Sequence, residues 1–394
     1  MKITKVDVFA FHCEGQPMFR PIGCRVYTDE GVFGDGEAAL SYGVGASAAF
    51  GMVRDLSALV VGMDPLENEV IWDKLHKTTF WGQSPGPVVC AGISALDMAL
   101  WDIRGKCFGQ PVWRLLGGRR NPTLRCYASQ IQQGFGPVHE RKYAPEEYAD
   151  IAEYCVKELG YDALKIDFYV YDDAGGFCSR DRKRGLMDPV TLRIATDRLD
   201  AIRKRIGGDA DIIIENHSNL DAGSAIQLAN AAEPYGIFFF EEPNTPSVKT
   251  SRFISEHIRI PLANGERIFT RWQYFPYFEQ NAIRVAQPDL GTCGGFTEGK
   301  KIADAAHAYD VSIQAHACGT PLSSIAAVHF ETVLPNFLIH EHHLCFLHRY
   351  NIELCVNDYQ PVGGMIAAPD LPGLGNEWSP YAMQRAEKTT VAEA

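Results

Sequence analysis

Between Ile212 and His343 the chain repeats one arrangement, a short apolar run that ends in an acid or a histidine. Ile212-Ile213-Ile214 leads to Glu215 and His217, Ile237-Phe238-Phe239-Phe240 to Glu241-Glu242-Pro243, and Ile260-Pro261-Leu262-Ala263 to Glu266. Ile283-Arg284-Val285-Ala286 leads to Asp289, Val311-Ser312-Ile313 to His316, and Phe337-Leu338-Ile339 to Glu341. From Glu215 to Glu341 the successive polar residues stand 26, 25, 23, 27 and 25 positions apart. A period of that length holds one strand, one helix and two loops. Eight such units need roughly 250 residues and close into a barrel whose active site lies at the C-terminal ends of its strands. Polar residues recurring in that phase therefore converge on one face. Helix capping explains any single strand-terminal acid, but it does not require six in phase. Carboxylates from three neighbouring strand ends make an oxygen-rich cage suited to a hard divalent cation such as Mg²⁺.

The 394 residues allow one large or two moderate domains. Their 46% hydrophobic and 22% charged content is that of a globular protein. A net charge of −12, with no basic block, argues against a nucleic-acid partner. No apolar run approaches the length of a membrane span, and Met1-Lys2-Ile3-Thr4-Lys5 has no signal-peptide core. The 11 cysteines include no CxxC pair, so reduced thiols in a cytoplasmic protein are expected rather than a disulfide framework.

Residues 2–12 and Cys24–Thr28 alternate as strands, and Asp29-Glu30-Gly31 turns into a third. Helices are expected at Ala46–Val61, Leu66–Thr79 and Ala91–Gly105, with a loop at Trp81–Pro87. Strands followed by helices describe an α+β capping domain over 1–120. The βα alternation then begins at Leu124–Ala128 and Ala163–Asp167 and continues to Glu341, which predicts a (β/α)8-type barrel over 121–350. Residues 351–394 are expected to return to the cap through Pro369-Asp370-Leu371-Pro372-Gly373-Leu374-Gly375, with a frayed polar tail from Gln384.

This order of motifs resembles the enolase superfamily, and within it the mandelate racemase branch. The motifs are Lys165-x-Asp167, Glu215-x-His217, Glu241-Glu242-Pro243, Gly265-Glu266-Arg267, Pro288-Asp289 and His316, together with Gly92–Asp102 and the Pro-Asp-Leu-Pro-Gly-Leu-Gly segment. The resemblance implies one metal ion, Mg²⁺ or Mn²⁺, held by Glu215, Glu241 and Glu266. The first ligand is commonly Asp and is Glu here. It also implies a base, His316, oriented by Asp289, and a Glu341 that hydrogen-bonds the substrate carboxylate and must be protonated to donate. Family members are often octamers or dimers, so a homo-oligomer is expected.

Enolase-superfamily sites use a Lys or His base with one or two Mg²⁺ ions to remove a proton beside a carboxylate. His217 shares the inward side with Glu215 and could protonate a leaving hydroxyl, which resembles the sugar-acid dehydratases of the branch. Lys165 could orient the carboxylate, act as a second acid/base, or only pair with an acid. Asp167, Arg267, Arg20 and Trp81 in cap loops, and one of His342 and His343, with His342 preferred, are candidate substrate contacts. The reading is a Mg²⁺-dependent dehydratase of a small acid sugar. A cycloisomerase or epimerase is the alternative chemistry, and a non-catalytic acid-sugar-binding homologue the alternative class.

Overall fold

The computed structural model describes residues 1–393. Strands β1 (Ile3–Ala10), β2 (Ile22–Thr28) and β3 (Phe33–Ala38) form an antiparallel meander. Helices Ala46–Val60, Asn68–Thr78 and Pro87–Cys107 follow. The last begins on a proline, whose missing N–H costs nothing in a first turn, and is buried along most of its length. Gly34 and Gly36 of β3 let it approach, because a Cβ at either would strike the backbone of Ala99 or Ala95.

Eight parallel strands make the barrel: β4 (Leu124–Ser129), β5 (Ala163–Asp167), β6 (Asp211–Glu215), β7 (Ile237–Glu241), β8 (Leu262–Asn264), β9 (Val285–Ala286), β10 (Ser312–Ile313) and β11 (His340–His343). β11 pairs with β4, and the ring closes where Leu338 N–H donates to the Ile313 carbonyl at 2.8 Å. A helix follows each of the first seven strands, the last being Pro321–Thr332; the eighth leads only into short turns. Strand β12 (Met365–Ile366) lies antiparallel on the start of β4.

Strand β13 (Glu387–Ala392) completes the cap sheet in the order β13-β1-β2-β3. This corrects the expected frayed tail. The free edge of β1 offers unpaired backbone groups, and Thr389, Thr390 and Val391 are β-branched residues suited to pair with it. The turn-rich segment docks on the cap, with Leu374 N–H donating to Asp102 Oδ1 at 2.8 Å and Val112 N–H to the Gly373 carbonyl at 3.0 Å. No helix among the described residues is long and apolar enough to cross a membrane.

Inside the barrel the inward side chains stack in layers. Tyr127, Ala163, Ile213, Phe239, Ala263, Val285 and Ile339 form an apolar one. Two residues further along the same strands, alternation presents Ser129, Lys165, Glu215, Glu241, Gly265, Gln287 and Glu341. The barrel thus changes from oil to charge within one layer, at its C-terminal mouth.

Candidate active site

The charged layer is organised by Lys165. Its ammonium lies 2.6 Å from Glu241 Oε1, 2.8 Å from Glu341 Oε1 and 3.0 Å from Glu215 Oε2, with the side chain buried. Burial disfavours that charge, but Glu241 and Glu341 outweigh it and hold the ammonium's pKa well above its ordinary value. Lys165 is therefore placed as the counter-ion of three carboxylates.

Glu341 also accepts from Ser129 Oγ at 2.8 Å and from Ala317 N–H at 3.0 Å. Burial raises a carboxyl, yet Lys165, then His316 and His343, bring this one down to about 2. A protonated Glu341 donating to substrate was expected; the structure instead gives it only donors, so it is ionised and accepts.

Glu215 Oε1 accepts from its own loop, Asn216 N–H at 3.1 Å and His217 N–H at 2.8 Å. Burial, opposed by His217 and Lys165, leaves it at about 2. Glu241 Oε2 is buried with no hydrogen-bond partner. Alternation sends Glu242 outward to Arg267, which also grips Glu266. Glu266 is drawn the other way as well, with Oε2 2.9 Å from His316 Nε2. Glu215, Glu241 and Glu266 therefore do not bring one oxygen each within 4.8 Å of one another; among the described residues only Cys318, His343 and Cys345 form so tight a group. The chemistry of the donor set nevertheless fits a hard cation. It is all carboxylate oxygen, the orphaned Glu241 Oε2 is buried without a donor, and burial and Glu215 push the Glu241 carboxyl well above the ordinary carboxylate range, a cost an ion would relieve.

Two histidines stand over this layer, each fixed by its own acid. His316 Nδ1 lies 2.7 Å from Asp289 Oδ2, and Asp289 Oδ1 accepts from Gly291 N–H at 2.7 Å. Burial lowers the imidazole, but Glu266 and Asp289 overcome it and raise His316 well above its ordinary value. His217 Nδ1 lies 2.9 Å from Asp167 Oδ2, whose other oxygen accepts from Tyr169 N–H at 2.9 Å. Burial, outweighed by Glu215 and Asp167, puts His217 at about 10, so it carries its proton at neutral pH. The two rings follow β6 and β10, four strands apart in a ring of eight, and so face each other across the barrel axis. His217, Ser218 and Glu242 take left-handed backbone, φ 47°, 58° and 44°, a conformation that costs non-glycine residues about 1–3 kcal/mol and clusters at working sites.

Between cap and barrel lies a cavity of about 710 Å³, within the size range of ligand pockets. His217, Glu266, Arg267, Asp289 and His316 line it together with Gln130, Gln133, His139, His343, Cys318 and Cys345, and with Gln16, Phe19 and Tyr42 of the cap. Asp167 sits behind His217 rather than at the cavity surface. His342 is corrected to His343: counting inward from Glu341, parity sends residue 342 outward, where its Nδ1 meets Tyr161 Oη at 2.6 Å and its ring stacks on Tyr161 and Phe346. Arg20 turns its guanidinium to the Gly43 carbonyl at 3.4 Å, leaving its neighbour Phe19 to line the cavity. Trp81 is exposed and edge-on to Phe80; Pro87, six residues on, reaches the cavity in its place. Gln130, Gln133 and His139 went unanticipated because a search for strand-terminal acids and histidines passes over the amide pair that ends β4.

These features define a class. An enolase C-terminal domain-like model matches residues 147–382, and the mandelate racemase/muconate lactonizing enzyme N-terminal domain matches 13–117. The chain belongs to the enolase superfamily, in its mandelate racemase/muconate lactonizing branch. Its individual relatives follow the same line. A D-xylonate dehydratase of Haloferax volcanii is 30% identical over 354 residues, 89% of this chain and 81% of that protein. A candidate dehydratase from Zymomonas mobilis ZM4 superposes with a TM-score of 0.96 at 47% identity, with 100% of both chains covered. An enolase-superfamily member from Salmonella Typhimurium does so with a TM-score of 0.96 at 44% identity, with 99% of each covered.

Proposed function

We propose that the protein dehydrates an acid sugar, an aldonate or aldarate, to a 2-keto-3-deoxy acid with the help of Mg²⁺. The observation that carries this reading is the pair of facing histidines, each held by its own carboxylate, His316 by Asp289 at 2.7 Å and His217 by Asp167 at 2.9 Å. Glu215, Glu241 and Glu266 would hold the ion, whose charge offsets that building on the substrate carboxylate as the α-proton leaves. With Glu266 turned to the ion, the charge that holds the His316 ring protonated would be withdrawn; the ring would give its Nε2 proton to solvent and then take the α-proton there, while Asp289 keeps the other ring nitrogen protonated. The electrons of the C–H bond form the C=C bond. The β-hydroxyl departs as water with the proton of His217, and the enol left behind takes a proton at C3 as its C2 hydroxyl gives one up, leaving the keto acid. Asp167 holds the His217 ring for this transfer. The name of the Haloferax relative makes five-carbon aldonates the first substrates to try.

The test separates the two histidines. Acid sugars are incubated with enzyme and Mg²⁺ in D₂O, following α-proton exchange by NMR and keto-acid formation by semicarbazide. In His217→Asn, exchange should persist while keto acid falls by roughly 10²–10⁴, the usual contribution of a general acid. Exchange by the wild type with every hydroxyl retained would establish an isomerase instead. Absence of exchange with all acid sugars would leave a binding protein.

A further inference from the structure

Glu37, at the end of cap strand β3, is wholly buried, and among the described residues no Lys, Arg or His pairs with it. Its carboxylate is spent on one barrel residue. Thr320 N–H donates to its two oxygens at 3.0 and 3.2 Å, and Thr320 Oγ donates at 2.5 Å. Thr320 also caps helix Pro321–Thr332, accepting from Leu322 N–H at 3.2 Å, so the Glu37 carboxyl faces the positive end of that helix. His316 lies four residues upstream in the same loop.

Two residues beyond Glu37, Ala39 N–H donates to the Gly291 carbonyl at 3.0 Å. Gly291 is the residue whose own N–H holds Asp289 Oδ1. One short cap segment therefore grips both loops of the dyad. Both grips rest on glycines: a Cβ at Gly319 would lie 2.6 Å from Glu37 Oε1, and one at Gly291 would overlap Ala39 Cβ. A buried carboxyl without a cationic partner, its pKa pushed up to about 7 by burial, is expensive to keep for packing alone, and its donors come from the loop that carries His316.

We infer that Glu37 is a positioning residue: through Glu37 and Ala39 the cap sets the distance between the loops of His316 and Asp289, and so the geometry of the base. The inference rests on the reading of His316 as the base.

The experiment uses full-length enzyme with Mg²⁺. In Glu37→Gln the amide accepts from one Thr320 donor and opposes the other; Thr320→Val removes the hydroxyl, and Thr320→Ser restores it. Misplacement of a reacting group by an ångström costs up to about 10²-fold. Glu37→Gln and Thr320→Val should therefore lower kcat by roughly 10–100-fold with KM changed less than about threefold. Thr320→Ser should recover most of the loss. Mg²⁺ affinity by calorimetry should be unchanged, because the ligand strands are not touched. A crystal structure of either defective variant should show the dyad contact lengthened from 2.7 Å. Wild-type kcat in both variants overturns the inference, as does a loss that follows Mg²⁺ affinity or melting temperature. So does a dyad that stays at its native distance while kcat falls. Should the wild type turn over no acid sugar, the function proposed above fails, and the dyad distance in the variants still decides this one.

Discussion

Replacing Asp289 with Asn alters one atom of the dyad and reverses its hydrogen bonding. Oδ1 of the new amide keeps the Gly291 N–H bond, 2.7 Å long in the native protein, which leaves the amide nitrogen facing His316 Nδ1 across another 2.7 Å. An amide N–H donates, so Nδ1 must accept, and the ring proton moves to Nε2. The nitrogen that faces the substrate then has no lone pair. In a serine-protease triad the same exchange lowers kcat about 10⁴-fold, or about 5 kcal/mol at 1.36 kcal/mol per decade. We expect roughly 10³–10⁴ here, as the fold is undisturbed and the Gly291 contact survives. The assay is α-proton exchange in D₂O beside keto-acid formation, with a thermal melt to show that the variant is folded. A folded Asp289→Asn enzyme that keeps more than about a tenth of native exchange refutes His316 as the base.

Lys165→Met should destabilise the protein by about 3–5 kcal/mol, since it leaves Glu215, Glu241 and Glu341 buried without their cation. Denaturant titration without Mg²⁺ reads this, and an unchanged midpoint contradicts the counter-ion role. His329, wholly buried, accepts from Trp113 N–H at 3.2 Å on Nδ1 and contacts the Leu374 carbonyl at 3.0 Å on Nε2; burial pushes it from 6.5 down to about 4. The unfolded chain takes up a proton below pH 6.5 and the folded one does not until about pH 4, so this stability is present above pH 6.5 and lost as pH falls through that window. Between pH 7 and pH 5 the loss amounts to about 2 kcal/mol. His329→Gln should flatten the acid limb of stability by that amount, and an identical slope in the two proteins would remove the explanation.

The barrel was legible because its signal is periodic. Apolar runs ending in a polar residue every 25 positions or so leave few alternatives; parity puts one of Glu241 and Glu242 inward and the other outward, and the family resemblance selects Glu241. Parity also selects His343 over His342 once Glu341 is taken as inward, although that step had not been made. The tail was misread for a different reason. Glu387–Ala392 carries β-branched residues but no partner in its own neighbourhood; its partner, β1, lies almost a whole chain length away.

What the residues determined alone was which groups reach the mouth of the barrel, because strand period and alternation are local rules. What they could not determine was the state of those groups. Lys165 as a counter-ion, Glu341 as an acceptor and His217 as an imidazole paired with Asp167 each follow from neighbours on other strands within about 3 Å, and Coulomb energies at that range in a poorly solvated site exceed any intrinsic preference of the side chain. The grip of Glu37 on the Thr320 loop is of the same kind, joining residues 283 positions apart, and only the folded chain brings them together.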